Sequence, residues 1–370
     1  MRRLQPQQPQ ALVARAPLRV SFGGGGTDLP AYYRRFGGLV VSAAITRYCY
    51  VVAEPPVEAG IGISSADFST WETFAAGVRP VPEGVLSLPK AALEWFWRSS
   101  GGPLEVDLFL ASEVAPGSGL GSSSAMAVAL VLGLAAHLGL RYSPEEVAEI
   151  ASWIEIERLR MPIGKQDQYA SAFGGINCIE FTRDGVRVTP LPLSRGVHCA
   201  LSERLLLFST GQTRNSAAIL RQQSSDAEHK RAVINSLHRL KAVAFEMRAA
   251  LLQGRLDDFG QLLDLGWQEK KRLSRRISSA AIDRCYEVAR EHGALGGKIV
   301  GAGGGGFLLL YCPPQRQPAV RSAMSESGLQ ELSFEFDFTG AQVLTEAVAA
   351  HGLPAVRSVG ARRAAGREAN

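Results

Sequence analysis

Pro116-Gly117-Ser118-Gly119-Leu120-Gly121-Ser122-Ser123-Ser124-Ala125 is the stretch from which the rest of this chain can be placed. Three glycines alternate with small residues, three hydroxyls follow, and an apolar helical segment opens with Ala125-Met126-Ala127-Val128. Glycine lets a backbone approach a ligand closely and turn with positive φ. The first turn of a helix adds unpaired N–H groups and the positive end of the dipole, so the unit suits a phosphate anion. A tight turn capped by serine would explain one glycine and one hydroxyl, but not three of each. A nucleoside triphosphate cradle explains them all.

Working outward, Arg19–Phe22, Leu39–Ser42 through Cys49–Ala53, and Leu104–Leu110 read as strands, with Gly23–Gly26 as the turn after the first. Helices are expected over about 122–139 and 144–159, the second opened by Ser143 as cap, Pro144 and two acids. Ile176–Phe181, Val186–Val188 and Leu205–Phe208 read as strands. Residues from Ser216 to about Glu291 form a charged helical region broken near Gly254 and Gly266, and Lys298–Val300 and Phe307–Tyr311 are strands around a last glycine knot. Helices and strands do not alternate as βαβ repeats would, so the fold class is α+β. At 370 residues, two lobes are expected. They are placed at 14–195 and 196–353, with disordered tails at 1–13 and 354–370.

Composition narrows the function. The chain is 46% hydrophobic and 20% charged, with a formal net charge of +5. Residues 1–19 hold four arginines and no acid, and residues 354–370 hold four arginines against one glutamate, so the body between is slightly acidic. A nucleic-acid role is therefore disfavoured. The five cysteines are scattered without a CxxC, which argues against a zinc site or a disulfide framework. The start lacks a secretion-signal core, and the apolar run from Ala125 to Leu140 is too short to span a bilayer. A cytoplasmic protein is expected.

Gly301-Ala302-Gly303-Gly304-Gly305-Gly306 formally matches GxGxxG, but the strand Phe307–Tyr311 follows it where a dinucleotide site needs a helix. GxxxxGK[ST] and the HRD and DFG elements are absent. Phosphate would be held here by backbone and hydroxyls.

Three glycine-rich segments in this order resemble the GHMP kinase superfamily over nearly the whole chain: Ala16 to Pro30, the loop 116–125, and Lys298 to Phe307. Gly24-Gly25-Gly26-Thr27-Asp28-Leu29-Pro30, Gly164-Lys165-Gln166-Asp167-Gln168-Tyr169-Ala170, Ser209–Arg214 and Trp267–Lys271 are most similar to the heptose- and fucose-phosphorylating branch. The resemblance implies an N-terminal lobe like domain 2 of ribosomal protein S5 and a ferredoxin-like C-terminal lobe. It implies ATP and Mg²⁺ as cofactors and transfer of the γ-phosphoryl group to the anomeric hydroxyl of D-glycero-D-manno-heptose 7-phosphate. The product would feed nucleotide-activated heptose synthesis, and assembly as a homodimer is allowed. A fucose, galactose or cyclitol kinase and an inactive sugar sensor are the alternatives.

Residue by residue, the resemblance makes Asp167 the base and Arg19 its cationic neighbour. Pro116, Gly117, Ser118, Gly119, Leu120, Gly121, Ser122, Ser123 and Ser124 become the ATP loop. It gives magnesium to Ser123 and Glu157, with Glu157 preferred over Glu155 because two residues apart on a helix point different ways. Substrate contacts are expected from Gly25, Gly26, Thr27, Asp28, Lys165, Arg214, Gly303 and Gly304. Lys270, Lys271, Arg272, Arg275 and Arg276 are further candidates for a substrate phosphate.

Overall fold

Strands β1 (Leu12–Gly23) and β2 (Gly38–Glu54), joined through α1 (Pro30–Phe36), are the spine of a computed structural model that describes residues 11–211 and 216–344. Their antiparallel register shifts between Pro17 and Leu18, where Tyr48 and Ile45 are the facing residues, and again between Ser21 and Gly23. Bulges of this kind bend a strand and re-aim its side chains. The two apolar runs of β2 are thus one bent strand.

The bend lets β2 pair with two partners on one edge. The hairpin β3 (Gly60–Ser65) and β4 (Thr70–Ala75) leads through α2 (Ser87–Ser100) into β5 (Val106–Ser112), which pairs with the outer half of β2. Helices α3 (Ser122–His137), α4 (Pro144–Ser152), a π-helical turn (Trp153–Arg158) and α5 (Gln166–Phe173) follow. The chain then returns as β6 (Ile176–Phe181) beside the inner half of β2, with β7 (Val186–Pro190) outside it. Helix α3 is apolar on every side because it is buried on every side. Its Gly133 lets it close on β1 and β2, where a Cβ would lie 3.3 Å from Ala14 and 3.4 Å from Val51. Helix α4 starts as expected, with Ser143 and Glu146 forming a reciprocal capping box around Pro144.

After α6 (Arg195–Arg204) a second sheet begins with β8 (Leu205–Ser209). Helices α7 (Ser216–His229), α8 (Arg231–Leu252), α9 (Leu256–Lys271) and α10 (Ala280–Glu291) precede β9 (Gly296–Ile299) and β10 (Phe307–Tyr311). Helix α11 (Gln317–Glu326) and β11 (Gln330–Glu331) follow. The spatial order β11-β8-β10-β9 places the fourth strand beside the first and the third between first and second, all antiparallel. That is the ferredoxin-like arrangement. Gly254 separates α8 from α9 as expected, but Gly266 breaks nothing. It lies inside α9 against Val243 and Met247, where a small residue lets α8 and α9 pack closely.

Two boundaries differ from expectation. Residues Leu12 and Val13, assigned to a disordered tail, pair with Ala53 and Val52 and form the start of β1. The last strand, β12 (Gln342–Leu344), assigned to the second lobe, returns to the first sheet and pairs with Val13–Arg15. Backbone hydrogen bonding on the two edges of β1, to β2 and to β12, accounts for both. The segments 1–10 and 354–370 lie outside the described residues.

One buried cluster spans both lobes, and a second, with Phe208, Trp267, Leu308 and Leu310, lies mainly within the second. Phe22 of β1 meets Phe259 of α9 edge-on at 5.2 Å, and Met247, Phe259, Leu309 and Tyr311 belong to the same buried cluster as Leu18, Val41 and Leu130. Gly301 rides directly on the glycine loop: with φ +73°, its Cβ would sit 2.6 Å from the Gly119 carbonyl oxygen. The substitution Gly301→Ala should cost about 1–2 kcal/mol from backbone strain, plus the displacement of Gly119. A clear fall in the thermal unfolding midpoint is expected, and an unchanged midpoint would show that the loop contact does not hold the lobes together.

Candidate active site

The glycine loop enters α3 through Gly121, whose left-handed φ of +80° turns the chain into the helix. The first-turn amides of Ser122, Ser123 and Ser124 have no acceptor within the helix. They face a cleft of about 350 Å³ lined by Gly117, Gly119, Gly121, the three serines, Arg19, Gly26, Asp28, Glu155, Gln166, Asp167, Gln223, Lys270, Gly301 and Ala302, among others. Pro116, Ser118 and Leu120 of the expected loop do not line it. Leu120 is fully buried in the core, and its carbonyl accepts from the Arg19 amide.

Arg19 is 4% exposed. Its Nε and Nη2 donate to Asp167 Oδ1 and Oδ2 at 2.7 and 2.6 Å, and its Nη1 donates to the Gly119 carbonyl at 2.7 Å. One guanidinium therefore fixes a carboxylate and the phosphate-loop backbone together, in the bidentate geometry arginine favours. The carboxylate is close to the loop itself: a Cβ on Gly121 would lie 3.3 Å from Asp167 Oδ2. Asp167 is the second residue of α5 and not its cap, which is Lys165.

Three consecutive residues at the start of α5 fan out to three partners. Gln166 Nε2 donates to Asp28 Oδ2 at 2.9 Å, Asp167 accepts from Arg19, and Gln168 Nε2 donates to Glu155 Oε2 at 2.5 Å. Gln166 and Gln168 were not singled out from sequence. The signal was present as a polar triplet opening an otherwise buried helix.

The expected placement of Glu157 beside the loop is corrected. Glu155 is fully buried and accepts from Ser123 Oγ at 2.6 Å, whereas Glu157 is exposed and pairs with Arg160 at 3.5 Å. The cause is the π-helical turn, in which Leu159 N reaches back five residues to the Ile154 carbonyl and the widened turn aims Glu155 at α3. The flanking residues hinted at this. Glu155 sits between Ile154 and Ile156, while Glu157 adjoins Arg158.

Other expectations are redistributed. Asp28 is 2% exposed and accepts from the Gly26 amide at 2.8 Å; burial raises its pKa, the Gly26 bond opposes this, and Asp167 adds to the rise. Thr27 does not face the cleft, because its hydroxyl is committed to the Gly24 and Leu39 backbones. Lys165 turns away to Glu149 at 2.8 Å. Gly25 lies beneath Lys270, with a Cβ position 3.5 Å from its Nζ. Gly303 and Gly304 pack on Ile277, leaving Gly301 and Ala302 to face the cleft. Arg214 lies outside the described residues.

The basic cluster is not one patch. Lys270 faces the cleft and donates to the Gly301 carbonyl at 2.8 Å, while Lys271 and Arg272 pair with Asp283 and Glu269 and Arg275 and Arg276 are exposed. Lys298, missed from sequence as a site neighbour, is buried below them and donates to the Ser21 carbonyl at 2.7 Å. Burial first, then Lys270 and Arg19, holds its pKa well below the usual lysine range.

Comparison with known proteins gives a consistent result. The model of the GHMP kinases N terminal domain matches residues 87–175, and that of the GHMP kinases C terminal region matches residues 247–329. A D-glycero-alpha-D-manno-heptose 7-phosphate kinase from Campylobacter jejuni is 30% identical over 322 residues, 86% of this chain and 95% of the relative. The L-fucokinase/L-fucose-1-P guanylyltransferase of Bacteroides fragilis is 28% identical, over 88% of this chain and 37% of that longer protein. The crystal structure of a D-glycero-D-manno-heptose 1-phosphate kinase from Bacteroides thetaiotaomicron is similar with a TM-score of 0.75 at 28% identity, covering 90% of this chain and 99% of that one. Lactococcus lactis galactokinase, complexed with galactose, shares the fold with a TM-score of 0.73 at 18% identity.

Burial pushes the Glu155 carboxyl from an ordinary 4.5 up to about 7; hydrogen bonds from Ser123, Ser124 and Gln168 oppose the rise, and Asp167 adds to it. The folded state thus binds this proton more tightly than the unfolded chain. Its contribution to stability is full below about pH 4.5 and is lost as pH rises through about 7. Asp28 acts in the same direction. Without nucleotide or divalent cation, the unfolding midpoint should fall across that window, and Glu155→Gln should flatten the fall. A slope unaltered by the substitution would rule Glu155 out as its source.

Proposed function

Because this chain belongs to the GHMP kinases, ATP-dependent phosphotransferases acting on an alcohol group, we propose that it transfers the γ-phosphoryl group of ATP to the anomeric hydroxyl of D-glycero-D-manno-heptose 7-phosphate. The observation that carries the reading is the Arg19-clamped Asp167 carboxylate held against the glycine loop. A carboxylate beside a phosphate cradle can take the proton of an attacking hydroxyl while the loop amides hold the transferring group. The Campylobacter jejuni relative named for heptose 7-phosphate supports the substrate, and the setting proposed is the cytoplasm.

The Asp167 carboxylate retains lone pairs beyond the two that Arg19 occupies, so one oxygen can accept the sugar proton. Arg19 keeps that oxygen oriented and places fixed positive charge where charge develops on the transferred group. The amides of Gly119, Gly121 and Ser122 to Ser124 and the dipole of α3 hold the phosphates. Lys270 adds a cation to the cleft lining. Asp28, steadied by Gly26 and Gln166, offers a carboxylate for sugar hydroxyls.

The residues present fit Mg²⁺. Ser123 and Glu155 offer hard oxygen donors beside the phosphate cradle, and Glu155 is a buried acid held by the neutral donors Ser123 and Gln168. When bound there, the ion would neutralise charge on the β- and γ-phosphate oxygens.

The test is ADP release from ATP with Mg²⁺ and a panel of free and phosphorylated hexoses and heptoses, with the product located by NMR. Phosphorylation at C1 of the heptose phosphate is expected; preference for an unphosphorylated sugar would overturn the substrate. Asp167→Asn, which keeps an oxygen for Arg19, should lower kcat about 10²–10⁴-fold with ATP affinity within about threefold. Near-normal turnover would remove Asp167 from the chemistry. Glu155→Gln should sharply raise the Mg²⁺ concentration required, and Glu157→Gln should leave it unchanged; the reverse pattern would restore Glu157.

A further inference from the structure

Gln223 of α7 is 1% exposed, yet neither its Nε2 nor its Oε1 has a hydrogen-bond partner. Native proteins rarely leave such atoms unpaired; protein, water or a ligand normally satisfies them. Gln223 lines the cleft, on the same face of α7 as Ala217 and Leu220 at three-residue spacing. Its Nε2 rests against the Gly26 backbone so closely that a Cβ there would collide with it. The amide of that same Gly26 donates to Asp28 Oδ1. Gln166, the other partner of Asp28, has a buried Oε1 that is also unpaired.

Unsatisfied polar atoms therefore converge around Asp28, on the wall that the sugar-kinase reading gives to the acceptor. The amide is neutral and offers donor and acceptor side by side. That suits a hydroxyl, which is both, and does not suit a phosphate, which only accepts. We propose that Gln223 is a specificity-determining residue that binds one secondary hydroxyl of the carbohydrate acceptor, at a carbon other than the one phosphorylated. The assignment rests on the kinase reading above.

The test compares the native enzyme with Gln223→Met, close in shape but without the amide, on the accepted sugar and its monodeoxy analogues. The native enzyme should lose about 10-fold or more in kcat/KM when one particular hydroxyl is removed. Gln223→Met should lose a similar factor on the parent sugar, keep its KM for ATP within about twofold, and no longer distinguish that one analogue from the parent. Its unfolding midpoint should be unchanged or higher, since an unpaired buried amide has been removed. An unaltered sugar KM, or equal losses on every analogue, would overturn the proposal while leaving the kinase reading intact. A native enzyme inert on every sugar would take down both. Gln223→Glu, which keeps the shape and loses the donor, should shift the same deoxy position and serves if the methionine variant does not fold.

Discussion

The Arg19 guanidinium is the constraint on which the site depends. It is nearly buried, and a buried charge is tolerated only when its donors are met with good geometry. Asp167 and the Gly119 carbonyl meet three of its donors, and they come from parts of the chain 148 and 100 residues away. A strand of the first sheet, the loop ahead of α3 and the first turn of α5 are thereby set at one distance from each other. The bulge after Pro17 sits just before this arginine in β1, so the bend in the strand and the aim of the side chain go together.

Around that pair the carboxylates are kept apart by what holds them. Asp167 raises the proton affinity of Asp28 and of Glu155, and each of the three has its own neutral or cationic partner: Gln166 for Asp28, Ser123 and Gln168 for Glu155, Arg19 for Asp167. The first turn of α5 supplies two of those partners and one of the acids. Such an arrangement leaves uncompensated negative charge facing the cleft, which is where cations accompanying a triphosphate would be accommodated.

Much of this was legible in the sequence because it is local. Alternating glycines before an apolar helix that opens on serines, strands of continuous Val, Leu and Ile, and the Ser-Pro-Glu-Glu start of α4 all act within a few residues of themselves. What was misread depends on contacts between distant segments. Glu155 and Glu157 cannot be told apart on an ideal helix; the π-turn that chooses between them is held by packing against α3. Lys165 and Thr27 sit within glycine-flanked motifs but are drawn off by Glu149 and by the Gly24 and Leu39 backbones. Lys270 and Lys271 are adjacent in a charge run, and only the burial of one face of α9 separates the cleft residue from the surface one. The return of β12 to β1 had no signal at all, since a three-residue edge strand carries too little pattern to name its partner.

That return has a mechanical consequence. The polypeptide passes from the first sheet to the second between β7 and β8, and passes back between β11 and β12, where the Ala44 carbonyl accepts from Asp337 N, Ile45 faces Phe336, and Thr46 N donates to Glu335 O. Two covalent straps define an axis. Rigid bodies joined this way can rock about the line between their attachments but cannot swing or twist freely. Together with the buried cluster the lobes share, the two crossings resist twisting of one sheet against the other more than a single connection would.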